Sequence, residues 1–248
     1  MALTNPLYNA LPRLANIQGF WRMESNGGNE SDLSTNGYTL TETSGTIPTT
    51  SGKIGNARDF EAGDTEYLAI ANASCANLKI TGEITISAWI KQESQSATQI
   101  ILSKFKEANG SRSYYLVVTS SNIIRFLVSS DGTAQTYADS TDTISTGTWT
   151  HIAATLNQAT DLLQVYINGS ANGDAVSFTS NIYDNAIDFM IGAYLNSSSV
   201  PTFHFDGLID EVIVWNTALT AGEVSQVYAI TTEAQYRHNA AFLLNMVR

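Results

Sequence analysis

The chain has one cysteine in 248 residues, Cys75, four prolines, and only 12 Lys and Arg against 23 Asp and Glu. A single cysteine excludes an intramolecular disulfide and any zinc site built on several thiolates. Its expected state is that of a small apolar side chain. The net charge of −11 repels phosphate backbones, so no nucleic-acid partner is expected. No apolar run approaches the roughly 18 residues of a membrane-spanning helix, so no membrane span is expected either. Between Met1 and Arg22 no basic segment precedes an apolar one, because Asn5, Pro6, Asn9, Pro12 and Asn16 interrupt the run. That pattern predicts no signal peptide. The expected location is inside a cell, or on a virion surface or another extracellular surface reached without classical secretion.

What is present is material for a core: 43% of residues are hydrophobic and 14% charged. A chain of this length and composition buries a sizeable interior. Short strand-like runs are divided by Gly, Asn, Asp and Ser. Ile84 to Ile90 alternates, with Ile84, Ile86, Ala88 and Ile90 on one face. Asn122 to Ser129 is apolar on both faces except at Arg125, which reads as a strand covered on both sides. Thr148–Leu156 and Leu162–Ile167 are separated by a hairpin-length loop, and Asn168-Gly169 turns the chain again. Asp131-Gly132 separates Phe126–Ser129 from Thr133–Tyr137 in the same way. Thr39 to Gly52 is rich in Thr, Ser and Gly and is expected to loop over the surface.

Helical spacing begins only near the end. Thr220-Ala221-Gly222-Glu223 fits a capping box, followed by Val224, Val227 and Tyr228 on one stripe. Thr232-Glu233-Ala234-Gln235 predicts the start of a second helix, amphipathic through Tyr236, Ala240, Leu243, Leu244 and Val247. Strands followed by terminal helices, with no βαβ alternation, predict an all-β antiparallel sandwich with short C-terminal helices. The expected division is an arm over residues 1–17, a β-domain over 18–230 and a C-terminal helix over 231–248.

Six segments, in order, resemble laminin-G-like, concanavalin A-like jelly-roll domains. They are Lys53 to Phe60 (K-I-G-N-A-R-D-F), Ile84 to Lys91 (I-T-I-S-A-W-I-K), Ile101 to Lys104 (I-L-S-K), Gly147 to Ala153 (G-T-W-T-H-I-A), Leu163 to Gly169 (L-Q-V-Y-I-N-G) and Gly207 to Leu219 (G-L-I-D-E-V-I-V-W-N-T-A-L). The resemblance implies a two-sheet jelly roll of a dozen or more antiparallel strands. It also implies a structural Ca²⁺ where the N-terminal strand meets the late strand. Trp21 to Glu24 and Asn29 to Ser34 resemble the family's early acidic run, so Glu24, Asp32 and Asp210 are the expected ligands, completed by loop carbonyls. Side-chain alternation places Asp210 on one face with Val212 and Val214. Were that face inward, the carboxylate would need a cation, a metal or hydrogen bonds. The alternative is that Asp210 caps backbone N–H groups and Asp32 closes an Asx turn.

The expected function is binding rather than catalysis. Glycoside hydrolysis needs two carboxylates about 5–9 Å apart across a cleft. Asp59 and Glu61 form an i, i+2 pair, but Ala57 and Gly63 stand where a third acid of a glucanase strand would be. Asp210 and Glu211 are adjacent, and no G-x-S-x-G or phosphate loop is present. His151 reads as a satisfied scaffold residue, and His204 and His238 stand alone. Sugars are held by aromatic faces with planar polar groups around them. Tyr114, Tyr115, Tyr137, Tyr183, Tyr194 and Trp89 are candidates. Tyr183-Asp184-Asn185 and Tyr194 with Asn196, in turn-like segments, are the expected ligand contacts. Two functions follow: a non-catalytic glycan-binding or adhesion module, or a structural part of a homo-oligomer or virion, such as a phage decoration or fibre protein.

Overall fold

The computed structural model describes residues 6–95 and 97–246, with side chains for 8–95 and 97–233. The strands are β1 (Ile17–Trp21), β2 (Thr41–Thr43), β3 (Thr49–Ser51), β4 (Asn56–Phe60), β5 (Tyr67–Ile70), β6 (Ile84–Gln92), β7 (Gln99–Phe105), β8 (Arg112–Val118), β9 (Ile123–Val128), β10 (Thr136–Thr143), β11 (Thr150–Asn157), β12 (Leu162–Ile167), β13 (Ser170–Ala171), β14 (Val176–Ser177), β15 (Phe189–Ile191), β16 (Tyr194–Leu195), β17 (Pro201–Thr202) and β18 (Gly207–Trp215). One helix, α1 (Ala221–Met246), ends the described chain.

Two large antiparallel sheets face each other. The nine-stranded sheet runs β13-β12-β11-β6-β18-β4-β3, with β1 also on β18 and β14 also on β12. The seven-stranded sheet runs β10-β9-β8-β7-β15-β5-β2. Alternation decides which side chains meet between them. Ile84, Ile86, Ala88 and Ile90 point inward from β6, against Leu116, Phe126 and Val128 of the facing sheet. Cys75 is buried in the same core. The stretch expected to loop, Thr39 to Gly52, instead adds β2 and β3 as edge strands, one to each sheet. Threonine-rich segments suit such edges because β-branched side chains fit a pleated surface.

A second core lies on the outer face of the nine-stranded sheet. Tyr8, Leu11, Phe20, Ile213, Trp215, Leu219, Val224, Val227 and Ile230 form it. The capping box starts the helix as its residues dictate: Glu223 N–H donates to Thr220 Oγ1 at 3.2 Å, and Thr220 N–H donates to Glu223 Oε2 at 2.9 Å. The second box does not open a new helix. The backbone stays helical through it to Met246, because its N–H groups already have partners one turn back. The stripe from Tyr236 to Val247 lies outside the described side chains. The arm is no free tether from Tyr8 onward. Tyr8 is fully buried, Trp215 Nε1–H donates to the Pro12 carbonyl at 3.1 Å, and Gln226 donates to the Ala10 carbonyl at 3.0 Å. No helix among the described residues is long and apolar enough to cross a membrane.

Candidate functional site

The three acids expected to hold calcium stand in different environments. Asp32 is a hub for backbone donors. Its Oδ1 accepts from Phe20 N–H at 2.8 Å and Ser34 N–H at 2.7 Å; its Oδ2 accepts from Tyr38 N–H at 2.8 Å and Ser34 Oγ–H at 2.6 Å. Asp210 departs from simple alternation. Asp210 pairs with Trp89 and Ile213 with Ser87, so Glu211 and Val212 both lie opposite Ala88. This is a β-bulge, with Glu211 in the left-handed region at φ 49°. Val212 and Val214 point into the main core. Asp210 instead shares the outer face with Trp89, beneath the loop at Ile54, whose N–H donates to Asp210 Oδ2 at 2.9 Å.

A cation of the chain itself already occupies this junction. Arg22 bridges Glu24 Oε1 at 2.8 Å and Glu211 Oε1 at 3.1 Å. Tyr8 O–H donates to the same Glu211 oxygen at 2.7 Å. Burial, then repulsion from Glu211, holds the Asp210 carboxyl well above the usual range. Asp210 Oδ1 and Glu211 Oε2 are buried without a donor among the described residues. Calcium takes about six to eight oxygens. Here Asp32 accepts four protein donors, Glu24 accepts from Arg22 and from Asn56 N–H, and a guanidinium sits between Glu24 and Glu211. The residues as placed do not fit a calcium ion.

The expected ligand contacts divide in a similar way. Asn185 is buried and faces inward to Lys104. Lys104 Nζ donates among Asn72 Oδ1, Asn185 O, Asn185 Oδ1 and Ile187 O, each at 2.8–2.9 Å. A buried ammonium needs such oxygens, so Asn185 belongs to the scaffold. Tyr183 is half-buried and Asp184 exposed beside it. Asn196 Oδ1 accepts from Ser198 and Val200 N–H and closes the β16–β17 turn. Tyr194 joins an aromatic ledge on the outer face of the seven-stranded sheet. Its ring centroid lies 5.2 Å from Phe105, 5.9 Å from Tyr115 and 5.3 Å from Phe203.

The ledge continues to the sheet edge. Tyr137, Leu127 and Tyr115 stand directly opposite one another on β10, β9 and β8. Ala138 points into the core, so Tyr137 and Asp139 point out. Tyr137 is 44% exposed. Arg125 grips Asp139 with two bonds of 2.7 Å, and its guanidinium carbon lies 3.8 Å from the Tyr137 ring centroid. Beside them is a groove of about 320 Å³ lined by Tyr137, Asp139, Ser140, Thr141, Asp174 and Val176. The groove is shallow and open to solvent, so a ligand would lie along it rather than be enclosed.

Both sheets build this groove. Asn172 Oδ1 accepts from Thr141 N–H at 2.9 Å and Asp142 N–H at 3.0 Å, which pins the β13–β14 loop to β10. Gly173 permits the approach: at φ +80°, an added Cβ would lie 2.0 Å from the Asp139 carbonyl oxygen. The loop so held delivers Asp174.

The family model described as the concanavalin A-like lectin/glucanases superfamily matches residues 62–225. The chain belongs to that superfamily. No curated protein matches it. Domain 4 of an extracellular arabinanase from Geobacillus stearothermophilus, solved with arabinotriose, is similar at TM-score 0.67 and 22% identity, over 86% of this chain and 98% of that one. The binding domain of Paraclostridial mosquitocidal protein 1 is similar at TM-score 0.70 and 16% identity, over 87% of this chain and 52% of that one. A botulinum neurotoxin binding domain, solved with SialylT, is similar at TM-score 0.63 and 12% identity, over 88% of this chain and 52% of that one. At these identities the likeness is one of fold.

Asp59 and Glu61 are joined by Glu93, with ligand atoms all within 4.8 Å. Asp59 lies in β4, and Glu61 and Glu93 directly follow β4 and β6, both of which pair with β18; Glu61 and Glu93 are exposed. They stand side by side on an open surface, and Ala57 and Gly63 leave the Asp59–Glu61 strand without the third acid of a glucanase strand. His151 is buried, with Nε2 3.0 Å from Ser87 Oγ, and burial pushes it down to about 3. It is neutral scaffold. Tyr137 stands among the aromatics expected from the sequence, whereas Arg125, Asp139, Thr141 and Asp174 do not. The available signal was Tyr137, Asp139 and Thr141 at i, i+2, i+4 on one strand face. Asp174 had none.

Proposed function

We propose that this chain is a non-catalytic glycan-binding module that works through the groove at Tyr137. The observation that carries the reading is the exposed Tyr137 ring, backed on one side by Arg125 and bordered by Asp139, Thr141 and Asp174. An aromatic face takes up the C–H surface of a sugar, while carboxylate and hydroxyl groups receive its hydroxyls. Stability does not account for this arrangement. A part-exposed pair such as Arg125–Asp139 contributes about 0–1 kcal/mol, and an exposed tyrosine adds little burial. The superfamily and a structural relative solved with arabinotriose support the same reading. The test is a glycan array, followed by incubation of each bound sugar with the protein and chromatography of the products. Binding without cleavage is expected. Cleavage, or an array on which nothing binds, contradicts the proposal.

A further inference from the structure

The groove's charge pattern narrows the class of glycan, an inference that rests on the proposed binding role. Of the six lining residues, two are acids and none is a base. Arg125, which stacks on Tyr137, is already engaged: both Asp139 oxygens take its N–H groups at 2.7 Å. That pair neutralises Asp139 and balances the Arg125 charge, so the two together add no net charge to the groove. Asp142, next along β10, accepts from Asn172 Nδ2 at 2.7 Å and brings a further negative charge to the rim. Asp174 is exposed, and its carboxylate has no hydrogen-bond or ion-pair partner among the described residues. The pinned β13–β14 loop holds it against the groove, and the close approach of Gly173 to Asp139 fixes its distance from the Tyr137 strand.

We infer that the groove takes a neutral sugar unit carrying adjacent hydroxyls and discriminates against sialylated, uronate and sulfated glycans. A free carboxylate has two acceptor oxygens, and a vicinal diol presents two donors at matching separation. An anionic sugar brings its charge next to Asp174, where the neighbouring guanidinium is already balanced by Asp139, in a protein at net charge −11. Rejection by an unanswered like charge is a common route to specificity. The predicted ligand class is a neutral oligosaccharide whose ring stacks on Tyr137 while its diol donates to Asp174.

The experiment uses matched probes on the full chain by calorimetric titration at about 0.15 M salt, where the Debye length is about 8 Å. The pairs are lactose against sialyllactose and galactotriose against trigalacturonate. Wild type, Asp174→Asn and Tyr137→Ala are compared. The altered side chains are exposed, and matching melting curves establish that the variants fold. The expected result is that at least one neutral probe binds and its acidic counterpart binds at least tenfold more weakly. Asp174→Asn then weakens the neutral probe several-fold and narrows the gap. Acidic probes that bind as tightly as the neutral ones, with a Tyr137→Ala loss for both, overturn this inference while the glycan-binding role stands. A wild type that binds none of the four, and no other sugar on the array, overturns both.

Discussion

The guanidinium carbon of Arg125 lies 3.8 Å from the centre of the Tyr137 ring. The two side chains come from neighbouring strands of the seven-stranded sheet, and Asp139 holds the arginine in place from the strand that carries the tyrosine. The stack orients a ring that would otherwise rotate freely in solvent, so ordering it is no longer a cost of binding.

Arg125→Ala should therefore separate stability from binding. Unfolding in urea should change by no more than about 1 kcal/mol, as for a part-exposed pair. Affinity for the array-selected glycan should fall about tenfold, because Tyr137 and Asp139 both lose their support. Titration calorimetry with denaturation curves reads both numbers.

Removing metal should do nothing. Arg22 bridges Glu24 and Glu211, and Asp32 accepts four donors of the protein. The melting temperature should be the same in excess EDTA and in millimolar Ca²⁺. A calcium-dependent rise of several degrees would mean that an ion displaces Arg22 or binds among Asp59, Glu61 and Glu93.

Asp210 should make stability depend on pH. Its folded pKa is raised above the ordinary 3.8, so the folded chain holds a proton that the unfolded chain releases. The stability carried by that proton is complete below about pH 3.8 and is lost as pH rises towards the folded value. Asp210→Asn keeps an acceptor for Ile54 N–H and removes the titration. Relative to wild type, the variant should gain with rising pH, by at most about 1.4 kcal/mol per pH unit. Denaturation curves across the pH range test the slope.

Gly173→Ala should damage fold and groove together. The added methyl meets the Asp139 carbonyl oxygen at 2.0 Å in a left-handed backbone. A loss of about 1–3 kcal/mol is expected from the strain, along with weaker glycan binding as the loop that carries Asp174 moves away. Gly63→Ala, where nothing lies within 4 Å, is the control for denaturation.

The scaffold could be read from the sequence because its signals are local. Ile84, Ile86, Ala88 and Ile90 alternate into the core as written, and the Thr220–Glu223 box starts the helix. Four features could not be read this way. A bulge has no marker in a period-2 pattern, so the sequence placed Asp210 with Val212 when the extra residue turned it to the other face. A capping box inside an established helix looks the same as one that starts a helix, hence the second helix that does not form. Asn185 looked like a loop ligand because its partner, the Lys104 ammonium, comes from a distant strand. The groove was hidden for a related reason: Tyr137 and Asp174 meet only where the edges of two sheets are fastened by Asn172.

The most direct measurement is the affinity of wild type and Tyr137→Ala for one array-selected glycan, taken with their melting temperatures. A loss of about tenfold or more is expected, with the melting temperature unchanged within about one degree. An unchanged affinity would contradict it and move the binding site away from the edge of the seven-stranded sheet.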